Sequence, residues 1–125
     1  MIQKDHAEAK RATAFTEAEA TYLAENFLGR LATATREGEP HVVPVSYRFD
    51  GKAIVFGGWN LASSRKYRQL MANHWVAFVV DDIASTNPWR VRGVEVRGTA
   101  EPIAVNGVSV VRIIPLNIRS WGLGS

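Results

Sequence analysis

The chain has 125 residues, 46% of them hydrophobic and 22% charged, which makes one domain of ordinary size and excludes a two-domain catalytic architecture. It contains no cysteine, so disulfides, thiolate metal centres and cysteine nucleophiles are impossible, and the composition suits a reducing, cytoplasmic location. Fifteen Lys and Arg against twelve Asp and Glu leave a net charge of +3, an excess that favours anionic partners and leaves phosphorylated small molecules and nucleic acid open.

Residues 1–14 mix charges with small residues without a sustained apolar period and read as a flexible N-terminal tail, followed by one domain over 15–125. The tail carries Lys4, Asp5, Glu8, Lys10 and Arg11 where a signal peptide would need an apolar core, and apolar runs such as Val76 to Val80 are too short to span a bilayer. No membrane partner is therefore expected. Structure begins with Thr16 as a helix N-cap, Glu19 completing a capping box and Phe15 stapling onto Ala20. The helix is predicted to run to about Asn26, with Ala20, Leu23, Ala24 and Phe27 as its apolar stripe.

From Gly29 the period becomes that of strands. Arg30 to Thr35 and Val42 to Val45 flank the turn Glu37-Gly38-Glu39-Pro40, and Pro44 marks the second strand as an edge or a bulge. Asp50-Gly51 turns the chain into a third strand, Ala53 to Gly57. Asn60 to Asn73 is the second helix candidate, with Ser63 or Ser64 able to cap it and Tyr67, Leu70 and Met71 on one side. Trp75 to Asp81 is a fourth strand. Val94, Val96, Gly98 and Ala100 alternate with Glu95, Arg97 and Thr99, which predicts a strand with one buried and one polar face. Asn106-Gly107 then turns the chain into Val108 to Ile114. The sum is a mainly β domain, a six-stranded antiparallel β-barrel with two short helices, because closure removes exposed edges.

Much catalytic chemistry is excluded by residue type. His6, His41 and His74 are too dispersed for a zinc site, so no metal is expected. A Gly-x-Ser-x-Gly elbow is missing, and Asp81-Asp82 reads as a turn or helix-cap feature at a strand end. Arg90, Arg92 and Arg97 lack an interleaved aromatic platform, so no nucleic-acid partner is expected. No catalytic side chain is assigned.

The informative stretch is Gly57 to Arg68. Its glycines admit a ligand to the backbone, while helix N-terminal amides, serine hydroxyls and Arg65-Lys66 favour a phosphate. The same residues also suit a capped helix with solvated charges. Four tryptophans, Trp59, Trp75, Trp89 and Trp121, fit core packing or a subunit interface, and equally a site for a planar ring. Trp89 and Trp121 fall in Pro/Gly-containing segments suited to a functional loop or tail.

Taken in order, Gly29-Arg30-Leu31-Ala32-Thr33-Ala34, Pro40-His41-Val42-Val43-Pro44-Val45, Ser64-Arg65-Lys66-Tyr67-Arg68, Val76 to Asp82 and Gly93-Val94-Glu95-Val96-Arg97-Gly98 resemble the pyridoxamine-phosphate-oxidase-like flavin and deazaflavin oxidoreductases. Asn87-Pro88-Trp89-Arg90 and Arg119-Ser120-Trp121-Gly122-Leu123 are most similar to the branch that uses coenzyme F420 rather than FMN. The resemblance runs from about Phe15 to Leu123 and implies an FMN-binding split barrel, a homodimer with cofactor sites at its interface, and a small-molecule substrate reduced by hydride transfer. It implies a ring site along Pro44, Val45, Ser46 and Tyr47 and at Gly58-Trp59. The phosphate-bearing tail would meet Asn60, Leu61, Ala62 and Ser63 with Arg65 and Lys66. Trp89 and Trp121 would close the site, from the same or the partner subunit. FMN is the alternative cofactor, and a non-catalytic cofactor carrier is the alternative role. In one respect the chain departs from many relatives: Pro102 to Val108 leaves only a tight turn before the final strand, which implies a shallow, open substrate pocket.

Overall fold

The computed structural model describes residues 13–57, 68, 70 and 73–124. Helix α1 (Glu17–Ala24) starts as the capping box requires: Thr16 Oγ1 accepts from the Glu19 amide at 3.1 Å, and the Thr16 amide donates to Glu19 Oε1 at 2.9 Å. Such a cap is worth about 1 kcal/mol. The buried stripe differs from the expected one. Glu19, Tyr22 and Leu23 are buried, whereas Ala24 is exposed and Phe27 is 73% exposed beyond the helix end. Phe15 packs edge-on against the Phe49 ring, 5.1 Å away.

Seven strands follow among the described residues: β1 (Leu28–Ala34), β2 (Pro40–Ser46), β3 (Arg48–Phe49), β4 (Ile54–Gly57), β5 (Trp75–Thr86), β6 (Trp89–Val105) and β7 (Val108–Trp121). All pair antiparallel in one sheet, in the order β2-β1-β5-β6-β7-β4-β3. The fold is mainly β and is a split barrel. The count is seven rather than six because the two residues Arg48 and Phe49 pair with Val55 and Ile54. Of the predicted second helix (Asn60 to Asn73), Arg68, Leu70 and Asn73 are described; Arg68 and Leu70 are helical and Leu70 is buried, whereas Asn73 lies outside any helix.

Local signals place the turns correctly. Asn106 and Gly107 take φ of 51° and 80°, and Val105 pairs with Val108 across them. Two consecutive positive φ values define the tight hairpin turn that matches strand twist, and glycine adopts one of them without strain. Asp50 Oδ1 accepts from the amides of Lys52 and Ala53 at 2.9 and 2.7 Å. Among the described residues β2 ends the strand order, so Pro44 lies on an edge, where its missing donor costs least.

The long strands correct a second expectation. Asp81 and Asp82 lie inside β5, which continues to Thr86, rather than at its end. Being neighbours on a strand, they face opposite ways. Asp81 pairs with Arg30 at 2.6 Å, while Asp82 turns toward α1 and accepts from Tyr22 at 2.7 Å and from Arg92 at 3.0 and 2.7 Å.

The core fills the inner face. Leu31, Phe78, Val80, Val94, Val96, Val111, Ile113, Ile54 and Phe56 are each at most 2% exposed, and Leu23 closes one end from α1. Full burial of such a side chain contributes about 1.5–3 kcal/mol. Along Val94 to Ala100 the burial alternates strictly, as the sequence predicts.

Candidate functional site

Strand β2 and Tyr47, the residue that follows it, bring together the four expected ring-site residues that the structure describes, but on two faces. Val45 and Tyr47 are buried at 6% and 4%, with Pro44 and Ser46 exposed opposite them. Tyr47 is a fastener: its hydroxyl donates to the Leu23 carbonyl at 2.6 Å and its ring meets Phe78 edge-on at 5.5 Å. Burial pushes its pKa up to about 12, so the phenol stays neutral and committed to the core. A ring lying on the outside of β2 would meet the side chains of Pro44 and Ser46, and only the backbone of Val45 and Tyr47. Because β2 is an edge among the described residues, one side of its backbone polar groups is uncommitted to the sheet. That edge fits a planar heterocycle with hydrogen-bonding groups along its rim. Gly58, Trp59, Asn60, Leu61, Ala62, Ser63, Arg65 and Lys66 lie outside the described residues.

The remaining two candidates stand at strand ends. Trp89 opens β6 at the tip of the β5–β6 hairpin and is 65% exposed. Trp121 ends β7, paired with Gly93, and its indole lies directly over that glycine, where any Cβ would collide with the ring. The hairpin that carries Trp89 runs beyond both neighbours, since β1 leaves β5 after Arg30 opposite Val79 and β7 ends opposite Gly93. Its base is clamped by the Asp82, Arg92 and Tyr22 network. The Arg92 hydrogen bonds, joined by that from Tyr22, hold the Asp82 carboxyl below its ordinary pKa, and burial together with Asp82 raises that of Tyr22.

The register fixes how far apart these residues are. One row across the outer face reads Pro44, Arg30, Val79, Glu95, Arg119, and Trp121 lies two residues beyond Arg119 on the same strand. Four strand spacings, about 19 Å along the sheet, separate Pro44 from the strand of Trp121. The next row reads Val42, Ala32, Ala77, Arg97, Asn117. Its Ala32, Ala77, Arg97 and Asn117 line a cleft of about 480 Å³, together with Ala34 and Trp75. Sequence reading missed this cleft, although Ala32, Ala34 and Ala77 recur at strand spacing on the polar face, where larger residues are usual. Ser46 and Tyr47 border a second cleft, of about 760 Å³, with Phe27, Phe49 and Val105.

Among the described residues no three His, Asp or Glu side chains cluster as metal ligands, and no helix is long and apolar enough to cross a membrane. The fold is a split barrel, and among the described residues the β2 edge leaves one side of its backbone polar groups outside the sheet. The family model of pyridoxamine 5'-phosphate oxidase matches residues 15–113, and the chain belongs to that family. It is 40% identical over 119 residues to a 5a,11a-dehydrotetracycline/5a,11a-dehydrooxytetracycline reductase of Streptomyces rimosus, covering 87% of this chain and 84% of the relative. That likeness to a named reductase over most of both chains makes it an oxidoreductase. Among solved structures, a conserved hypothetical protein of Mycobacterium tuberculosis superposes with a TM-score of 0.74 at 24% identity, covering 91% of this chain and 89% of that one. An F420 reductase superposes with a TM-score of 0.67 at 22% identity, covering 84% and 98%.

Proposed function

We propose that the protein is a homodimeric, coenzyme F420-dependent reductase of an electron-poor small molecule. The observation that carries the shared-site reading is the register: Pro44 and Ser46 on β2 and Trp121 on β7 occupy one sheet face four strands apart. A single ring cannot touch both within one chain, whereas a second copy related by a two-fold axis brings its own Trp121 to the first copy's β2. The deazaflavin is favoured over FMN by the resemblance carried by Asn87 to Arg90 and Arg119 to Leu123.

When bound, the reduced cofactor supplies a hydride to an electron-poor carbon of the substrate, and solvent supplies the proton that completes the reduction. This chain's residues bind and orient. The outer edge of β2, with Pro44 and Ser46, positions the ring; Asn60 to Ser63 with Arg65 and Lys66 hold the phosphate-bearing tail; Trp89 and Trp121 exclude water. Tyr47, neutral and bonded to Leu23, holds the β2 end in place rather than exchanging a proton.

Titration of the purified protein with coenzyme F420 and with FMN, read by fluorescence or calorimetry, tests the reading. Micromolar F420 binding is expected, and Arg65→Ala with Lys66→Ala together should weaken it by about 2 kcal/mol or more. FMN binding without F420 binding assigns the flavin instead. Tight binding with no oxidation of the reduced cofactor by any quinone or enone makes the protein a carrier.

A further inference from the structure

We propose that Gly93 is a positioning residue of the shared site: having no side chain, it lets Trp121 lean down across β6 and so presets the indole as a wall for the planar ring held on β2 of the second copy. What meets the indole rests on the shared-site reading, while the seating of Trp121 is read from this chain alone.

Asp81, Gly93 and Trp121 form one row across β5, β6 and β7 on the outer face. In such a row neighbouring side chains stand off the sheet together, their Cβ atoms about 4.5–5.5 Å apart, and hold one another upright. Here the middle position is empty. Asp81 reaches away from it, to Arg30 on the far neighbour β1 at 2.6 Å, and Gly93 supplies no side chain. The indole fills the gap with the edge formed by Nε1, Cε2 and Cζ2. A Cβ at position 93 would stand 3.0 Å from Nε1, 2.7 Å from Cε2 and closer still to Cζ2. Gly93 is therefore buried although its neighbour Val94, which faces the core, is buried too. The indole, and not the barrel, covers it.

A second glycine holds the chain beyond the ring. Gly122 has a φ of 69°, and a Cβ there would collide with the Val91 carbonyl oxygen, so only glycine lets the turn pass so close to β6. Leu123 then packs against the core cluster. Trp121 is thus held by the β7 ladder before it and by the Leu123 anchor after it. The core does not require this seat, since Trp121 lies on the face opposite the buried Val94 and Ile118. An aromatic wall fixed before its ligand arrives need not be ordered on binding, and it favours contact with a second ring. A methyl group at position 93 would lift the indole off the sheet and into the space of that ring.

The test uses full chains of the wild type, Gly93→Ala, Gly122→Ala, Trp121→Leu and the double variant Gly93→Ala with Trp121→Leu, titrated with coenzyme F420 and with FMN by calorimetry. Gly93→Ala and Trp121→Leu should each weaken the cofactor that the wild type binds by about three- to tenfold, the worth of one aromatic pair. The double variant should bind no more weakly than Trp121→Leu, because Gly93 acts only through the indole. Trp121 emission, obtained in each background by subtracting the Trp121→Leu counterpart, should shift to the red in Gly93→Ala as the ring leaves its seat. If Gly93→Ala does not fold, Gly122→Ala, which alters only the turn after the last strand, decides in its place and should weaken cofactor binding likewise. Wild-type affinity in the deciding glycine variant, with Trp121→Leu weakened, overturns the proposal and leaves the shared-site reading standing. Losses that multiply in the double variant also overturn it, because Gly93 would then act independently of Trp121. Unchanged affinity in Trp121→Leu, or no binding of either cofactor by the wild type, overturns the shared-site reading and the proposal with it.

Discussion

The two faces of the same strands differ in what holds them. On the inner face Phe78, Val80, Val94 and Val96 are 1% exposed and touch other apolar side chains. On the outer face, one residue along, Val79 and the ion-paired Glu95 are half-buried, and Ala77 and Arg97 line a cleft. The inner face is over-determined by packing, so its residues are interchangeable only for others of the same volume. On the outer face partly buried charges sit beside alanines, an arrangement that packing alone does not require. Stability should therefore depend on the inner face, and recognition on the outer one.

The sharpest way to break the inner face is Phe78→Ala. Phe78 meets Tyr47 edge-on, lies 6.4 Å from the Phe56 ring in a stacked pair, and fills the space beside Gly29. Its removal leaves a cavity at the junction of β1, β2, β4 and β5, and should cost about 3–5 kcal/mol, measured by urea denaturation.

How much of this was legible follows from how local each signal is. The capping box at Thr16 and Glu19, the turn at Asn106-Gly107 and the alternation along Val94 to Ala100 each involve residues a few positions apart, and sequence reading placed all three. The full lengths of β5, β6 and β7 were not legible, because strands persist where a partner strand is present. Asp82 opposite Arg92 and Thr86 opposite Trp89 are such non-local pairings. Tyr22 was passed over in favour of Phe27 because a helix stripe does not reveal that Asp82 and Arg92 wait, sixty and seventy residues on, for its hydroxyl and ring. For the candidate site, the β2 residues were legible as a group, but not that alternate members face the core. The cleft at Ala32, Ala77 and Arg97 was invisible, because it exists only through the register of four strands.

A smaller effect is expected from Tyr47→Phe, which keeps the ring and removes the 2.6 Å bond to the Leu23 carbonyl. The Leu23 carbonyl still accepts from the Asn26 amide at 3.4 Å, so losing the phenol bond alone should cost about 0.5–1.5 kcal/mol. The substitution also tests a pH dependence. The Tyr47 pKa is raised by burial to about 12 in the folded chain, against about 10 unfolded. Unfolded protein then loses this proton first, so the wild type should lose stability as pH rises from about 10 to 12. Tyr47→Phe should flatten that decline in part, since the Tyr22 pKa is raised in the same direction.

At the acid end the sign reverses, and the effect is weaker because the groups are partly solvated. Hydrogen bonds from Arg92, and secondarily from Tyr22, lower the Asp82 pKa. Burial alone would raise that of Asp50, but the Lys52 and Ala53 amides and Arg112 outweigh it and lower it. The unfolded chain binds protons at these carboxylates first, so stability should fall as pH drops below about 4. Asp82→Asn should remove part of that acid slope in a series of thermal melts, while loosening the base of the β5–β6 hairpin.

The smallest stability change should come from the outer face. Trp75 is as large as any inner residue, but it is 62% exposed on the cleft side, so Trp75→Ala should shift unfolding free energy by no more than about 0.5 kcal/mol. Phe78→Ala should behave in the opposite way, lowering the denaturation midpoint steeply. A Trp75→Ala chain that melts as early as Phe78→Ala would mean that the outer face is itself part of the core, covered by a second copy in solution. Sedimentation of wild type and variant at the concentrations used for melting separates that outcome from simple local packing.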